Sequence, residues 1–453
     1  MAATSTTLGS TSVYRVEKSL TDVVSDHCAV SGRLNPDDSF YIVDLGTIIK
    51  KCYQWKKNLP RVEPFYAFKC NSDPLVLKTL ALLGLGFDCA SKSEMKTVLD
   101  MGLDSSRIVY ANPCKQISHL KFACQNDVKR MTFDNEYELF KIKKYFPSAE
   151  LLLRIRADDS KSLCQLGIKF GAETCHAHHL LSIAKQLNLN VIGISFHVGS
   201  GCYDVKPFSD AVASSKEVFL IAEKLGFDFS VLDIGGGYPG ADEAPITFEE
   251  IADELNNALD VHFPEGCGID IIAEPGRFFA CASHTLAVSI IGKRLVDQSG
   301  EKTDIDAKFM YYVNDGVYSS FNCLLFDHAT VHPKLIKQKA SCGDDVATVC
   351  SIWGPTCDSM DCVMEKCVLP ELEIGDWLYF ENMGAYTKSA ASSFNGFPVS
   401  FSYYVVSADV WEDFVLLAGE DQDVKSLFPK GGPCKKPVVL FSSSMIVAVN
   451  SSV

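Results

Sequence analysis

Eight short apolar runs, each followed by a helical stretch, constrain this chain more than any other feature. They are FYAFK from Phe65, GFDCA from Gly86, RIVYA from Arg107, RMTF from Arg130, LLLRIR from Leu151, VIGISFH from Val191, SVLDI from Ser230 and DIIAE from Asp270. Between them lie segments such as DPLVLKTLALLG and DAVASSKEVFLIAEKLG, whose apolar spacing is that of amphipathic helices. Eight such units are what a (β/α)8 TIM-like barrel needs, so an α/β fold is expected. Beyond Cys281 the rhythm changes to HTLAVSII, KFMYYVND, VATVCSIWG, GDWLYFEN and VSFSYYVV, strands without long helices between them. This predicts a C-terminal β-sheet domain. The run SFYIV before Asp44 would make a ninth barrel strand and is assigned to the sheet. The expected division is an N-terminal segment, 1–43, joining the sheet; a barrel, 44–281; the sheet domain, 282–425; and a tail, 426–453.

A barrel collects its chemistry where strands run into their βα loops, at the C-terminal face. PFYAFKCN stops on Lys69, and a lysine at a strand end is ordinarily a surface residue whose stem packs on apolar neighbours. Here Asp88, Arg154, His197, the glycines after Asp233, and Glu274 occupy the same relative place on other strands. Six strand ends then point at one face. DIGGGYPG sets Gly235, Gly236 and Gly237 directly after a strand, where bare backbone amides can approach an anion. It is not a dinucleotide fingerprint, and a single phosphate suits it better. AEPGR adds the Arg277 guanidinium on a late loop, the usual phosphate corner of such barrels. A lysine, a phosphate cradle, an imidazole and an isolated Glu suit pyridoxal 5′-phosphate: the lysine forms the Schiff base and a carboxylate keeps the pyridine nitrogen protonated.

Charge narrows the partners. The formal net charge is −15, which argues against a phosphate-backbone partner, because nucleic-acid binding needs a basic face. The 18 cysteines are scattered, with no CxxC pair and no zinc-ligand spacing, so they read as mostly buried thiols, and no metal site is expected. No run approaches the roughly 18 apolar residues a membrane helix requires. A cytoplasmic, small-molecule enzyme is the expectation.

Ten ordered blocks carry a family resemblance: PFYAFKCN, GFDCASKSE, YANPCKQ, KFG, FHVGSG, LDIGGG, AEPGR, YYVNDGVY, WGPTCD and FENMGAYT. From Phe40 to Val410 the chain resembles the eukaryotic ornithine decarboxylase family, barrel-type pyridoxal-phosphate decarboxylases. The resemblance implies that Lys69 carries the cofactor, His197 stacks on its ring and Glu274 pairs with the pyridine nitrogen. It places Asp88, Glu94 and Arg154 around the Schiff base, and Ser200, Gly235, Gly236, Gly237, Arg277 and Tyr386 on the phosphate. It also implies a homodimer with shared sites, in which Cys357 from the partner chain protonates the carbon that loses CO2. Asp358 with Asp327 takes a substrate's distal ammonium, with Phe326 beside them, and Lys169 with Asp361 forms an ion pair across the interface.

Departures matter too. Phe326, Phe278 and Phe279 stand where the family usually has Tyr, so three hydroxyls are lost. Ser319 replaces a usual Gly and Lys388 an apolar residue, with no chemical group in the sequence to explain either. The tail from Gly431 to Val453 is apolar rather than acidic, and 112–144, which meets antizyme in this family, is less basic, so antizyme binding is expected to be poor. Three functions stay open: L-ornithine to putrescine, decarboxylation of another amino acid such as L-leucine, or a non-catalytic regulator of the antizyme-inhibitor kind.

Overall fold

The computed structural model describes residues 5–8, 11–34, 38–296, 307–336 and 347–420. Strand Phe40–Asp44 feeds directly into helix Leu45–Asn58, which Asp44 caps by accepting the Gly46 amide at 2.9 Å. The chain then enters a closed barrel of eight parallel strands: Val62–Ala67, Gly86–Cys89, Ile108–Tyr110, Arg130–Phe133, Glu150–Arg154, Asn190–Ser195, Val231–Asp233 and Asp270–Ala273. Each pairs with its successor, and the last closes on the first through Ile271 to Val62. These are the eight runs expected from the sequence. They read as almost continuously apolar because a parallel strand here is covered on both faces.

Strand alternation sets the height of the functional layer. Phe65, Val109, Leu152, Val231 and Ile272 form a small apolar cluster. With a side-chain period of two, Arg154, Asp233 and Glu274 each stand two residues beyond a member of that cluster and face the same way. The apolar layer is therefore the floor of the site. Their neighbours Leu153, Leu232 and Ala273 face outward into the large core shared with the helices. A Cβ at Gly86 would run into the Phe65 ring, so the glycine makes room for the floor.

The second unit is a ten-stranded sheet. Its strands include Thr11–Val16, Phe401–Ser407, Phe40–Asp44, His284–Leu295, Phe309–Val313, Thr348–Trp353 and Cys362–Leu369, neighbours in that order. The run SFYIV thus lies in this sheet and outside the barrel. The long strand His284–Leu295 turns the sheet: its first half pairs with Phe40–Asp44 and Trp377–Phe380, its second with Phe309–Val313.

Two hydrogen bonds tie the sheet unit to the turn that carries Lys69: Tyr386 N–H donates to Cys70 C=O at 2.9 Å, and the Asn71 side chain donates through Nδ2 to Gly384 C=O at 2.8 Å. Of the 16 described cysteines, eight are buried and none is disulfide-bonded, so the thiols are less uniformly interior than expected. The apolar tail lies outside the described residues, and among those described no helix is long and apolar enough to cross a membrane.

Candidate active site

Lys69 sits in a single 3-10 turn, Phe68–Cys70, immediately after the first barrel strand. Its Nζ forms a close ion pair with Asp88, which is buried, while the Lys69 side chain stays 47% exposed toward a cavity. Burial acts to lower the lysine pKa, but Asp88, Tyr386 and Glu274 together outweigh it and the ammonium is held in its charged form. Burial pushes Asp88 the other way, up to about 7, with Lys69 partly offsetting it.

Lys69, Arg154, His197, Ser200, Gly236, Gly237, Glu274, Arg277 and Tyr386 line one cavity of about 250 Å³. His197, two residues past its strand, accepts the Gly236 amide on Nδ1 at 3.1 Å, so Nε2 carries the proton and faces Glu274 Oε2 at 2.6 Å. Burial lowers the His197 pKa and keeps the imidazole neutral, although Glu274 acts in the opposite sense. Gly235 and Gly237 have φ of +63° and +119°, conformations that a Cβ would strain. At Gly235 a Cβ would also strike the Phe196 carbonyl. Tyr386, likewise at positive φ (+54°), lies 5.2 Å under the Arg277 guanidinium. Glu94 accepts the Ala90 amide in the turn that opens its own helix, beside the lysine and not in the cavity wall.

The donor set fits pyridoxal 5′-phosphate on structural grounds. Glu274 Oε1 and Asp88 Oδ1 are buried acceptors without partners, suited to a cationic ring, and the buried Arg277 Nε is an unpaired donor beside the glycine turn, suited to an anion. Buried polar atoms left unpaired are costly, and a ligand of complementary charge relieves the cost.

The substrate-end residues are arranged less simply. Asp327 is 5% exposed and is held by Arg277, whose Nη2 also donates to Ser200 Oγ at 3.0 Å. Cys357 and Asp358 lie on the loop between strands Thr348–Trp353 and Cys362–Leu369, and neither lines the cavity of its own chain. Asp358 accepts from the Tyr318 hydroxyl and the Met360 amide. Phe326 is 71% exposed and does not line the cavity. Phe278 and Phe279 are fully buried behind the barrel among Trp55, Phe248 and Tyr66. None of the three lost hydroxyls therefore faces the cavity of this chain.

Within its own chain Asp361 is 1% exposed and accepts from Val317 N, Thr356 N and Thr356 Oγ1 at 2.6–3.0 Å, and Lys169 lies 5.0 Å over the Phe170 ring. The ion pair expected between them runs between two copies of the chain. One expectation needs correction. Lys388 does meet a chemical group, donating to Ser402 Oγ at 2.7 Å with the buried Asp73 carboxylate 3.7 Å away. Nothing in the structure explains Ser319, whose buried hydroxyl has no partner.

Residues 45–281 match the family model described as pyridoxal-dependent decarboxylase, pyridoxal binding domain. The chain belongs to the pyridoxal-dependent decarboxylases. Within that family it is similar to ornithine decarboxylase of Mus musculus, 51% identical over 83% of this chain and 82% of the relative. It is also 51% identical to antizyme inhibitor 2 of Xenopus laevis, over 84% of each chain. The crystal structure of the Paramecium bursaria Chlorella virus arginine decarboxylase bound to agmatine superposes with a TM-score of 0.79 at 39% identity, covering 85% of this chain and all of that one. Members of this family of decarboxylases act with pyridoxal phosphate, and the cavity above is where this chain would hold it.

The sequence reading did not assign a role to Asp233, which closes its strand beneath the glycine turn, nor to Tyr238, Asn112 and Phe170 on the cavity wall. Asp233 could have been found by alternation, since it faces the same way as Val231 in the floor.

Proposed function

We propose that the protein converts L-ornithine to putrescine and CO2, as a cytoplasmic homodimer with shared sites. The supporting observation is Asp327: a carboxylate nearly excluded from water and bonded to Arg277, which lines the cavity. An apolar side chain such as leucine's would offer that carboxylate nothing beyond Arg277, whereas a distal ammonium adds a second charge-assisted bond to it. The leucine alternative rested on the lost hydroxyls, and Phe278 and Phe279 lie in the core, away from the cavity.

In this reading 44–281 is the cofactor-binding barrel, with 1–43 and 282–425 as the sheet domain. Pyridoxal phosphate, when bound, supplies an electron sink for the bond to the departing carboxylate. The chain's own residues do the rest. Lys69 Nζ holds the cofactor covalently and Asp88 orients that nitrogen. Glu94 and Arg154 complete the charged surroundings of Lys69. His197 offers a neutral imidazole face to the ring, and Glu274 a carboxylate to its nitrogen. Ser200, Gly235, Gly236, Gly237, Arg277 and Tyr386 form the anion cradle. Cys357 of the partner subunit holds the proton that replaces CO2, and Asp358 of the partner subunit joins Asp327 on the ammonium. The exposure of Cys357 and its absence from its own chain's cavity support a site completed by a second copy.

The test is CO2 release with pyridoxal phosphate from L-ornithine, L-lysine, L-arginine and L-leucine. Ornithine should exceed leucine by at least about a hundredfold in kcat/KM. Release from leucine alone would replace the substrate assignment.

A non-catalytic, antizyme-inhibitor-like role is the second reading, favoured by the 51% identity to antizyme inhibitor 2 and by Ile117, Tyr137 and Phe140, which are exposed large side chains in 112–144. The paired Lys69 and Asp88 and the strained glycine turn weigh against it. In our reading antizyme binds weakly, and rapid antizyme-dependent turnover in cells would refute that.

A further inference from the structure

Asp233 ends the seventh barrel strand on a carboxyl group that the reading above does not use. It is fully buried. Its Oδ1 accepts the Gly235 amide at 2.9 Å, while Oδ2 receives no bond from any basic group. Strand pairing sets Asp233 against Ile272, so Glu274, two residues further on and facing the same way, is its diagonal neighbour; both carboxyl groups are buried, and Glu274 Oε1 likewise has no donor. Two neighbouring buried carboxylates repel unless one of them carries a proton, so the pair shares one.

The surroundings decide which residue has it. Glu274 faces His197 Nε2–H at 2.6 Å and feels the Lys69 ammonium. Asp233 has a single backbone amide and feels the charges of Asp88 and Glu274, with the Arg154 guanidinium as the opposing charge and the buried Tyr238 hydroxyl within its field. Burial, and after it the Glu274 charge, pushes the Asp233 acid well above the carboxylate range. Burial also acts to raise Glu274, but His197 and Lys69 outweigh it and hold that group low.

We propose that Asp233 is kept as the neutral acid and donates its proton in a hydrogen bond to Glu274, making it a positioning residue for the carboxylate that faces the cofactor ring. The link to the ring rests on the cofactor reading given above; the location of the proton does not. Asp233 then supplies a donor where a second anion would drive Glu274 out of place.

Asp233→Asn separates the possibilities, because asparagine reproduces the shape and the donor of the neutral acid but cannot ionise. A carboxyl with a raised folded-state pKa stabilises the fold fully below its unfolded value of about 3.9 and loses that contribution as pH rises toward the folded value. The full-length protein without added cofactor should therefore show a Tm difference in favour of Asp233→Asn that widens from about pH 6 to about pH 9. Infrared spectra of the same samples should contain a protonated-carboxyl stretch in the wild type that is missing in Asp233→Asn. Titration with pyridoxal 5′-phosphate should give a Kd within about threefold of wild type for Asp233→Asn and at least about tenfold weaker for Asp233→Ala. A Tm difference that does not change with pH, a band that survives the substitution, or an Asp233→Asn chain that fails to fold would overturn the proposal. If wild type binds no pyridoxal phosphate, the cofactor reading falls, while the Tm and infrared comparisons still locate the proton.

Discussion

Arg277 grips Asp327 through one nitrogen shared between both carboxylate oxygens, Nη2 to Oδ1 at 2.6 Å and to Oδ2 at 2.7 Å. Two residues assigned to opposite tasks, anion cradle and ammonium site, are bonded to each other. A hydrogen bond to a charged group contributes about 1.5–3 kcal/mol, so neither member is independent of the other. Arg277→Ala is expected to weaken pyridoxal phosphate binding by about 10- to 100-fold in absorbance titrations. Asp327→Ala should instead raise the KM for ornithine by at least about tenfold, with the cofactor Kd unchanged or lower, since the guanidinium is released toward the anion. Equal losses in both constants for Asp327→Ala would contradict the division of tasks.

Lys69→Ala should abolish the visible absorption of the cofactor-loaded protein and reduce CO2 release to background. A wild-type protein that stays colourless after reconstitution would end the catalytic reading.

The shared site makes a quantitative prediction. Lys69→Ala and Cys357→Ala chains, each inactive alone, should recover about a quarter of wild-type activity on mixing, because random pairing leaves one intact site in about half of the dimers. Absence of recovery, with subunit exchange demonstrated by differently tagged chains, would rule the shared site out.

The pH dependence of cofactor capture follows from the Lys69 and Asp88 pair. Capture of an aldehyde needs the free amine, and Asp88 is the foremost of the neighbours that hold Lys69 in its charged form. The rate of appearance of the visible band should rise with pH, and Asp88→Asn should move that rise to lower pH. Stopped-flow absorbance over a pH series reads it directly. A shift to higher pH would mean that Asp88 does not control the lysine charge.

Restoring hydroxyls tests the substrate argument. Phe278→Tyr and Phe326→Tyr should each change kcat/KM for ornithine by less than about tenfold, the scale of a single neutral hydrogen bond of about 0.5–1.5 kcal/mol. A larger gain in Phe326→Tyr would show that its ring enters the site of a neighbouring copy.

The barrel could be read directly because each of its strands is covered on both faces and writes a short, nearly pure apolar run between helical spacings. Strand Cys362–Leu369 left no such trace: it lies at the sheet edge and carries Glu365 and Lys366 on exposed positions, so it reads as a loop. The two-stranded ribbon of Ser162–Cys164 with Ser200–Cys202, which brings Ser200 to the cavity, is too short to register a period. Lys69, His197 and Glu274 could be placed because a barrel dictates where strand ends meet. The Arg277 to Asp327 pair could not, since residues fifty apart with no shared periodicity announce nothing about each other. Phe278 and Phe279 misled in the opposite way. Adjacent to AEPGR in the chain, they turn into the core behind it.

The bonds from Tyr386 and Gly384 to the Lys69 turn also bear on how the molecule matures. They join points of the chain more than three hundred residues apart, and closing so long a loop belongs to the late stages of assembly. A chain that had closed its barrel but not yet docked its sheet would hold Lys69 on an unbraced turn, without Tyr386 beside Arg277. Cofactor colour would then report more than occupancy. During refolding it should lag behind recovery of helical circular dichroism, marking the moment at which the two units have come together.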